Sequence, residues 1–221
     1  MQYIKVCGLK ESEHVELCGK NDADAVGFIY KVPSSPRNLE KPKLINLLKG
    51  IPKKLLTVVV SKPKNIVELE NIMKEIDVNL YQIHSNFENN EIDNIPTELK
   101  QKVVFALKVN PSNKDNIIKK IKKYRDQFFA FLIDNSEGHG TEFNFDIAVD
   151  IINNTEGARI IIAGGININN VEKIIRDLNP YGIDVSSSLE SKKGVKDPSK
   201  IQSFLKKINE IKKELWEKYE I

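Results

Sequence analysis

The chain has 221 residues, 40% hydrophobic and 29% charged, with 34 Lys and Arg against 31 Asp and Glu for a formal net charge of +3. That is the composition of a globular chain with a packed core, and its near balance of charge argues against a dedicated nucleic-acid or acidic-membrane binder, which concentrates basic residues. No apolar run approaches the roughly 18 residues of a membrane span, the amino terminus lacks the pattern of an export signal, and two cysteines, Cys7 and Cys18, are too few for a disulfide framework or a zinc site. A reducing cytoplasm is the expected compartment, and no metal is expected.

In chain order, short β-branched apolar runs predict strands over Tyr3–Cys7, Ala25–Ile29, Leu55–Val60, Leu80–His84, Val103–Val109, Phe128–Asp134, Arg159–Ala163 and Gly182–Val185. Between them, apolar residues recur at three- and four-residue intervals, as in Ile66, Leu69, Ile72, Met73 and Ile76, or Ile117, Ile118, Ile121 and Tyr124, or Val171, Ile174, Ile175 and Leu178. Phe87 to Pro96, rich in Asn and acids, reads as mostly loop. A last amphipathic pattern from Ile201 to Tyr219 predicts a long closing helix at about 198–219.

Eight strand-then-helix units without a composition break predict the α/β class and one domain over residues 1–221. The expected fold is a (β/α)8 TIM barrel of eight parallel strands with surrounding helices. An open doubly wound sheet would carry G-x-G-x-x-G after its first strand, and Cys7-Gly-Leu-Lys-Glu-Ser12 does not.

A barrel of this kind places its chemistry at the carboxyl ends of the strands. Strand one ends in Cys7-Gly8, strand four in Gln82-Ile-His84, strand six in Asp134-Asn135 and strand eight in Asp184-Val-Ser-Ser-Ser188. Taken singly, a strand-end Cys is usually a small buried hydrophobe, and an Asp there often caps the next helix. Two combinations say more. Gly164-Gly165 after strand seven and Ser186-Ser187-Ser188 after strand eight supply small residues whose amides can approach an anion, at the usual phosphate position of the fold, so a phosphorylated ligand is expected. Cys7 and Asp134, on strands one and six, would stand on facing sides of the mouth, one able to accept a proton and one to donate it, as an isomerisation by proton transfer requires.

With these residues in view, the chain resembles phosphoribosylanthranilate isomerase over almost its whole length. The likeness is carried by Lys5-Val-Cys-Gly-Leu9, Ala23-Asp-Ala-Val-Gly-Phe-Ile29, Ser35-Pro-Arg37, Tyr81-Gln-Ile-His84, Leu132-Ile-Asp134, Gly140-Thr141 with Phe145-Asp146, Ile162-Ala-Gly-Gly-Ile-Asn167 and Asp184-Val-Ser-Ser187. The resemblance implies Cys7 as general base and Asp134 as general acid of a cofactor-free Amadori rearrangement. It places Arg37 against the anthranilate carboxylate, His84 and Asp184 along the substrate, and Gly164, Gly165 and Ser186 to Ser188 around the phosphate. It implies a small phosphosugar–anthranilate substrate, neither nucleic acid nor membrane as partner, and a monomer or homodimer. Competing readings are a histidine-pathway aminoaldose isomerase, whose strand-one residue is an aspartate, and a non-catalytic phospholigand-binding paralogue.

Asp134 must then hold a proton well above the usual range of about 3.9, and Cys7 must ionise below about 8.5. Lys5, two residues before Cys7, shares its face one layer deeper and joins the groups expected around the substrate; its ammonium would either lower the thiol pKa or only pair with an interior carboxylate. Ser85, Glu142 and Ser188 stand where the family usually has glycine, and each is expected to add a side chain near the mouth.

Overall fold

The computed structural model of the chain describes residues 1–134 and 144–219. Eight parallel strands alternate with helices: β1 (Tyr3–Cys7), β2 (Ala25–Tyr30), β3 (Leu56–Ser61), β4 (Leu80–Ile83), β5 (Val103–Lys108), β6 (Ala130–Asp134), β7 (Ile160–Ala163) and β8 (Gly182–Val185). Each pairs with its neighbours in chain order, and β1 pairs with both β2 and β8, which closes the sheet into a barrel. Outside it lie α1 (Ser12–Lys20), α2 (Lys41–Leu48), α3 (Ile66–Glu75), the short α4 (Asn89–Asp93) and α5 (Thr97–Lys100), α6 (Lys114–Tyr124) and α7 (Phe145–Asn154). They are followed by α8 (Val171–Lys173), which runs on as a π-helical turn over Ile174–Leu178, and by the closing α9 (Pro198–Tyr219). Among the described residues no helix is long and apolar enough to cross a membrane.

The expected strands all form, with ends moved by one or two residues: His84 and Val109 fall just outside, and β6 begins at Ala130. Phe87 to Pro96 is not mostly loop. Its α4 turn is held by a capping box in which the Glu88 and Glu91 side chains satisfy each other's backbone amides, a local device that leaves no long apolar periodicity to read.

Side chains alternate strictly about the barrel wall. Ile4, Val6, Val26, Phe28, Phe105, Phe131, Ile133, Ile162 and Ile183 face outward into the layer shared with the helices, while Tyr3, Cys7, Ala25, Val58, Leu80, Val104, Ala130, Leu132 and Ile161 fill the inside. Closure makes that interior tight, and glycines relieve it where register sets them beside large neighbours. Gly182 lies opposite Tyr3, and Gly27 opposite Cys7. A Cβ on Gly182 would stand 2.5 Å from the Tyr3 carbonyl oxygen, and one on Gly27 2.8 Å from Lys5 Cε and 3.0 Å from Cys7 Sγ.

Gly182→Ala should therefore destabilise the protein by about 1–3 kcal/mol through overpacking, which at this chain size is a loss of several degrees in Tm. Gly50, whose Cβ would meet nothing within 4 Å, is the control. Thermal unfolding followed by circular dichroism checks both, and a Gly182→Ala melt that overlays the wild type would contradict the packing argument.

Candidate active site

At the carboxyl ends of the strands the barrel opens on a cavity of about 1230 Å³. The alternation that fills the lower barrel with apolar groups brings polar ones to this level. On β1 the inward series is Tyr3, Lys5, Cys7; on β6 it ends in Asp134; on β8 it ends in Asp184; and His84 continues the inward register of Leu80 and Gln82. Cys7, His84, Asp134 and Asp184 all line the cavity, as do Arg37, Gly164, Gly165 and Ser186 to Ser188. β1 and β6 lie three strands apart along one side of the barrel and five along the other. The thiol and the Asp134 carboxyl thus open on the same cavity.

Lys5 does not reach the cavity. It lies beneath the floor, 1% exposed, with its Nζ 2.7 Å from Asp184 Oδ2, a pairing that follows directly from the in-register match of Lys5 and Asp184 across β1 and β8. Expected around the substrate, Lys5 is instead placed one layer below the rim, where a carboxylate opposite it in register satisfies its charge. Burial penalises both charges of the pair and holds Asp184 above the ordinary carboxylate range. The ammonium feels the same burial, yet Asp184 and the Cys7 sulfur beside it outweigh this and raise Lys5, the direction that the short contact supports.

The Cys7 thiol is pushed up, not down. Its burial is the largest influence and Asp184 adds to it, while Lys5 and then Lys196 pull in the other direction without prevailing. The lysine thus acts on the thiol in the expected sense, but it is already paired, and desolvation wins. His84 is brought down to about 4 by burial, with Lys5 and Lys62 assisting against Asp134, so its ring is neutral near neutral pH; it lies 3.0 Å from the Gln82 amide.

The part of the cavity beyond β7 and β8 is built from backbone that only glycine adopts freely. Gly164 and Gly165 have φ of 82° and 69°, which turns the chain sharply after β7, and a 3₁₀ turn over Ser187–Leu189 follows β8. The buried Ser188 Oγ has no hydrogen-bond partner among the described residues. Ser85, by contrast, does not enter the mouth: its hydroxyl donates to the Pro63 carbonyl at 2.8 Å. Glu142, with Asn135, Gly140 and Thr141, lies outside the described residues.

Arg37 is held at the rim by parts that sequence reasoning did not single out. The loop carrying Ser35-Pro-Arg37 leads into a two-residue strand, Asn38–Leu39, paired beside the end of β2. The arginine stem then crosses β1 over Gly8, where a Cβ would stand 2.5 Å from Arg37 Cδ; Gly8 has φ of 78° as well, so that position excludes a side chain twice over. The guanidinium meets Glu190 in a two-pronged contact, Nε to Oε1 at 2.5 Å and one Nη to Oε2 at 2.8 Å. Glu190 begins a small antiparallel hairpin, Glu190–Lys192 with Val195–Lys196, for which neither periodicity nor strand-end position gave a signal.

A protein-family model described as N-(5'phosphoribosyl)anthranilate (PRA) isomerase matches residues 4–207. The N-(5'-phosphoribosyl)anthranilate isomerase of Thermoanaerobacter sp. strain X514 is 31% identical over 96% of this chain and 100% of its own, and that of Clostridium acetobutylicum is 32% identical with the same coverage. Among solved structures, the phosphoribosyl anthranilate isomerase of Thermotoga maritima superposes with a TM-score of 0.79 at 24% identity, covering 95% of this chain and 100% of that one. With a fold shared at that level and a sequence match running from β1 into α9, the chain belongs to the N-(5'-phosphoribosyl)anthranilate isomerase family.

Proposed function

We infer that the chain is the isomerase that converts N-(5-phosphoribosyl)anthranilate to 1-(2-carboxyphenylamino)-1-deoxyribulose 5-phosphate in tryptophan biosynthesis, working in the cytoplasm as one barrel domain, monomeric or homodimeric. The observation that carries this reading to particular residues is the opening of Cys7, Asp134 and two small-residue anion loops on one cavity. Family membership supplies the reaction, and the placement of these groups supports the assignment of roles.

In this mechanism the phosphate sits against Gly164, Gly165 and the amides of Ser186 to Ser188, which fixes the sugar, and Arg37 takes the anthranilate carboxylate at the other end. Asp134 donates its proton to the furanose ring oxygen. The C1–O bond breaks as the anilino nitrogen lone pair forms the C=N bond, leaving an open-chain protonated imine. Cys7 thiolate then removes the proton from C2; the C–H electrons form the C1=C2 bond of an enolamine, and the imine π electrons return to nitrogen. Tautomerisation places the carbonyl at C2 and a proton on C1, so the overall change is an isomerisation that consumes no other reactant. Neutral His84 and the Asp184 carboxyl line the path between the two ends.

Burial keeps most of the thiol protonated near neutral pH, and the thiolate that does form is correspondingly the stronger base. The Lys5 ammonium limits how far the thiol rises. Because a positive neighbour favours the thiolate, removing it must move the titration to higher pH.

The test is turnover of the fluorescent aminoaldose by purified protein. Cys7→Ala and Asp134→Asn should each lower kcat by about 10² to 10⁴ with a much smaller change in KM, whereas Arg37→Ala should raise KM by about tenfold to a hundredfold. Wild-type turnover in Cys7→Ala would overturn the assignment of the base. For the thiol environment, the rate of Cys7 alkylation in the free enzyme should titrate above the ordinary thiol range and shift further alkaline in Lys5→Met. Coincident curves for the two proteins would reject the coupling.

A further inference from the structure

We propose that Glu190 and Lys196 are a positioning pair that presents one edge of Arg37 to the substrate's carboxylate while keeping the arginine's charge available. The inference rests on the reading that Arg37 is the carboxylate's partner. Glu190 is buried, and its carboxylate receives the Arg37 Nε–H and one Nη–H, the Lys196 ammonium at 3.0 Å and the Gly194 amide at 2.9 Å. Burial alone would push this carboxyl up, but these donors bring it to about 2, so it stays charged throughout the working range.

Two consequences follow from the geometry. A guanidinium has two forked edges, and Glu190 occupies the side edge formed by Nε and one Nη. The end edge, formed by the two Nη groups, is the remaining fork that can meet a second planar carboxylate. Because Arg37 lines the cavity and its stem is trapped over Gly8, fixing the side edge sets the plane and direction of the other. The charge balance matters equally. A lone glutamate would cancel the arginine and leave nothing to attract an anion; with Lys196 the cluster holds two positive charges and one negative, a net single positive charge beside the cavity.

Lys196 also ties this cluster to the rest of the site. Its ammonium donates to the Ser186 carbonyl at 2.8 Å, and the Ser186 hydroxyl donates to the Cys7 carbonyl at 3.0 Å. Gly194 lets the hairpin back directly onto the arginine loop, since a Cβ there would lie 3.0 Å from Pro36 Cβ and 3.1 Å from the Pro36 carbonyl oxygen. Carboxylate end, phosphate loop and thiol strand are thus tied through Glu190 and Lys196 together.

The experiment compares the affinity of two non-turning-over ligands by calorimetry, the reduced product and its analogue lacking the ring carboxyl. Wild type should prefer the carboxylated ligand by about tenfold to a hundredfold. Glu190→Gln and Lys196→Met change the local charge in opposite directions, yet both should shrink that preference at least fivefold; Lys196→Arg should restore it. A stronger preference in Glu190→Gln would reduce the pair to simple electrostatics and overturn the positioning role, as would an unchanged preference in both variants. If wild type shows no preference at all, it is the Arg37 reading that fails. Should a variant not fold, NMR of the arginine side chains in wild type decides: on binding of the carboxylated ligand the Arg37 Nε–H resonance should hold while its Nη groups shift, and displacement of the Nε–H resonance would mean that the ligand takes Glu190's place.

Discussion

Closure of the sheet is the constraint on which the site depends. Because β1 must hydrogen-bond both β2 and β8, every strand's inner face is committed to one enclosed column, and the register across each seam dictates which side chains meet there. The lower column is filled by Tyr3, Leu80, Val104, Ala130 and Ile161, with Gly182 yielding space to Tyr3. The same register that pairs Gly182 with Tyr3 pairs Asp184 with Lys5 two residues higher, and Gly27 with Cys7 on the other seam. The buried ion pair and the room for the thiol are therefore consequences of the two registers that β1 makes with its neighbours.

Two charged clusters bracket the thiol. Below it, Asp184 lines the cavity with Lys5 buried beneath; beside it, Arg37, Glu190 and Lys196 form a wall reaching the rim. Burying an ion pair costs desolvation that its attraction does not always recover, so pairs this deep are poor candidates for a purely stabilising role. Each instead holds a cation at a fixed place relative to the cavity. A lysine or arginine without its carboxylate would snorkel toward water or lose its proton; with one, it stays charged and aimed.

Much of this was legible from the chain alone, because period-two patterning and the strand-end rule are both local. The alternation in Tyr3-Ile-Lys-Val-Cys7 placed Lys5 and Cys7 on one face, and the polar ends of β1, β4, β6 and β8 marked the mouth. What escaped depended on contacts between distant segments. Glu190 and Lys196 sit in a short hairpin after a 3₁₀ turn, where no periodicity separates them from neighbouring surface residues such as Lys192 and Lys193. Their importance shows only when Arg37, 153 positions away from Glu190, is brought against them. Whether Lys5 would act on the thiol or on a carboxylate was undecidable without the β1–β8 register, and the answer is that it does both, with the carboxylate nearer in effect. Ser85 looked like an intrusion into the mouth because its neighbour His84 faces there; the next residue on an extended segment faces away, toward the Pro63 carbonyl.

The raised thiol is the outcome of this arrangement. Lys5 and Lys196 each pull the Cys7 thiol toward ionisation, but burial is the larger influence and Asp184 adds to it, so the thiol stays raised. A phosphate and a carboxylate added by the ligand would strengthen that trend. For the proposed step this is an advantage, because C2–H becomes acidic only once ring opening has produced the protonated imine. A base that is scarce but strong waits for that event, whereas a permanently ionised thiolate would be weaker at the moment of proton transfer and exposed to oxidation between turnovers. The cations thus limit how far the thiol rises, while burial, with Asp184, keeps it from ionising outright.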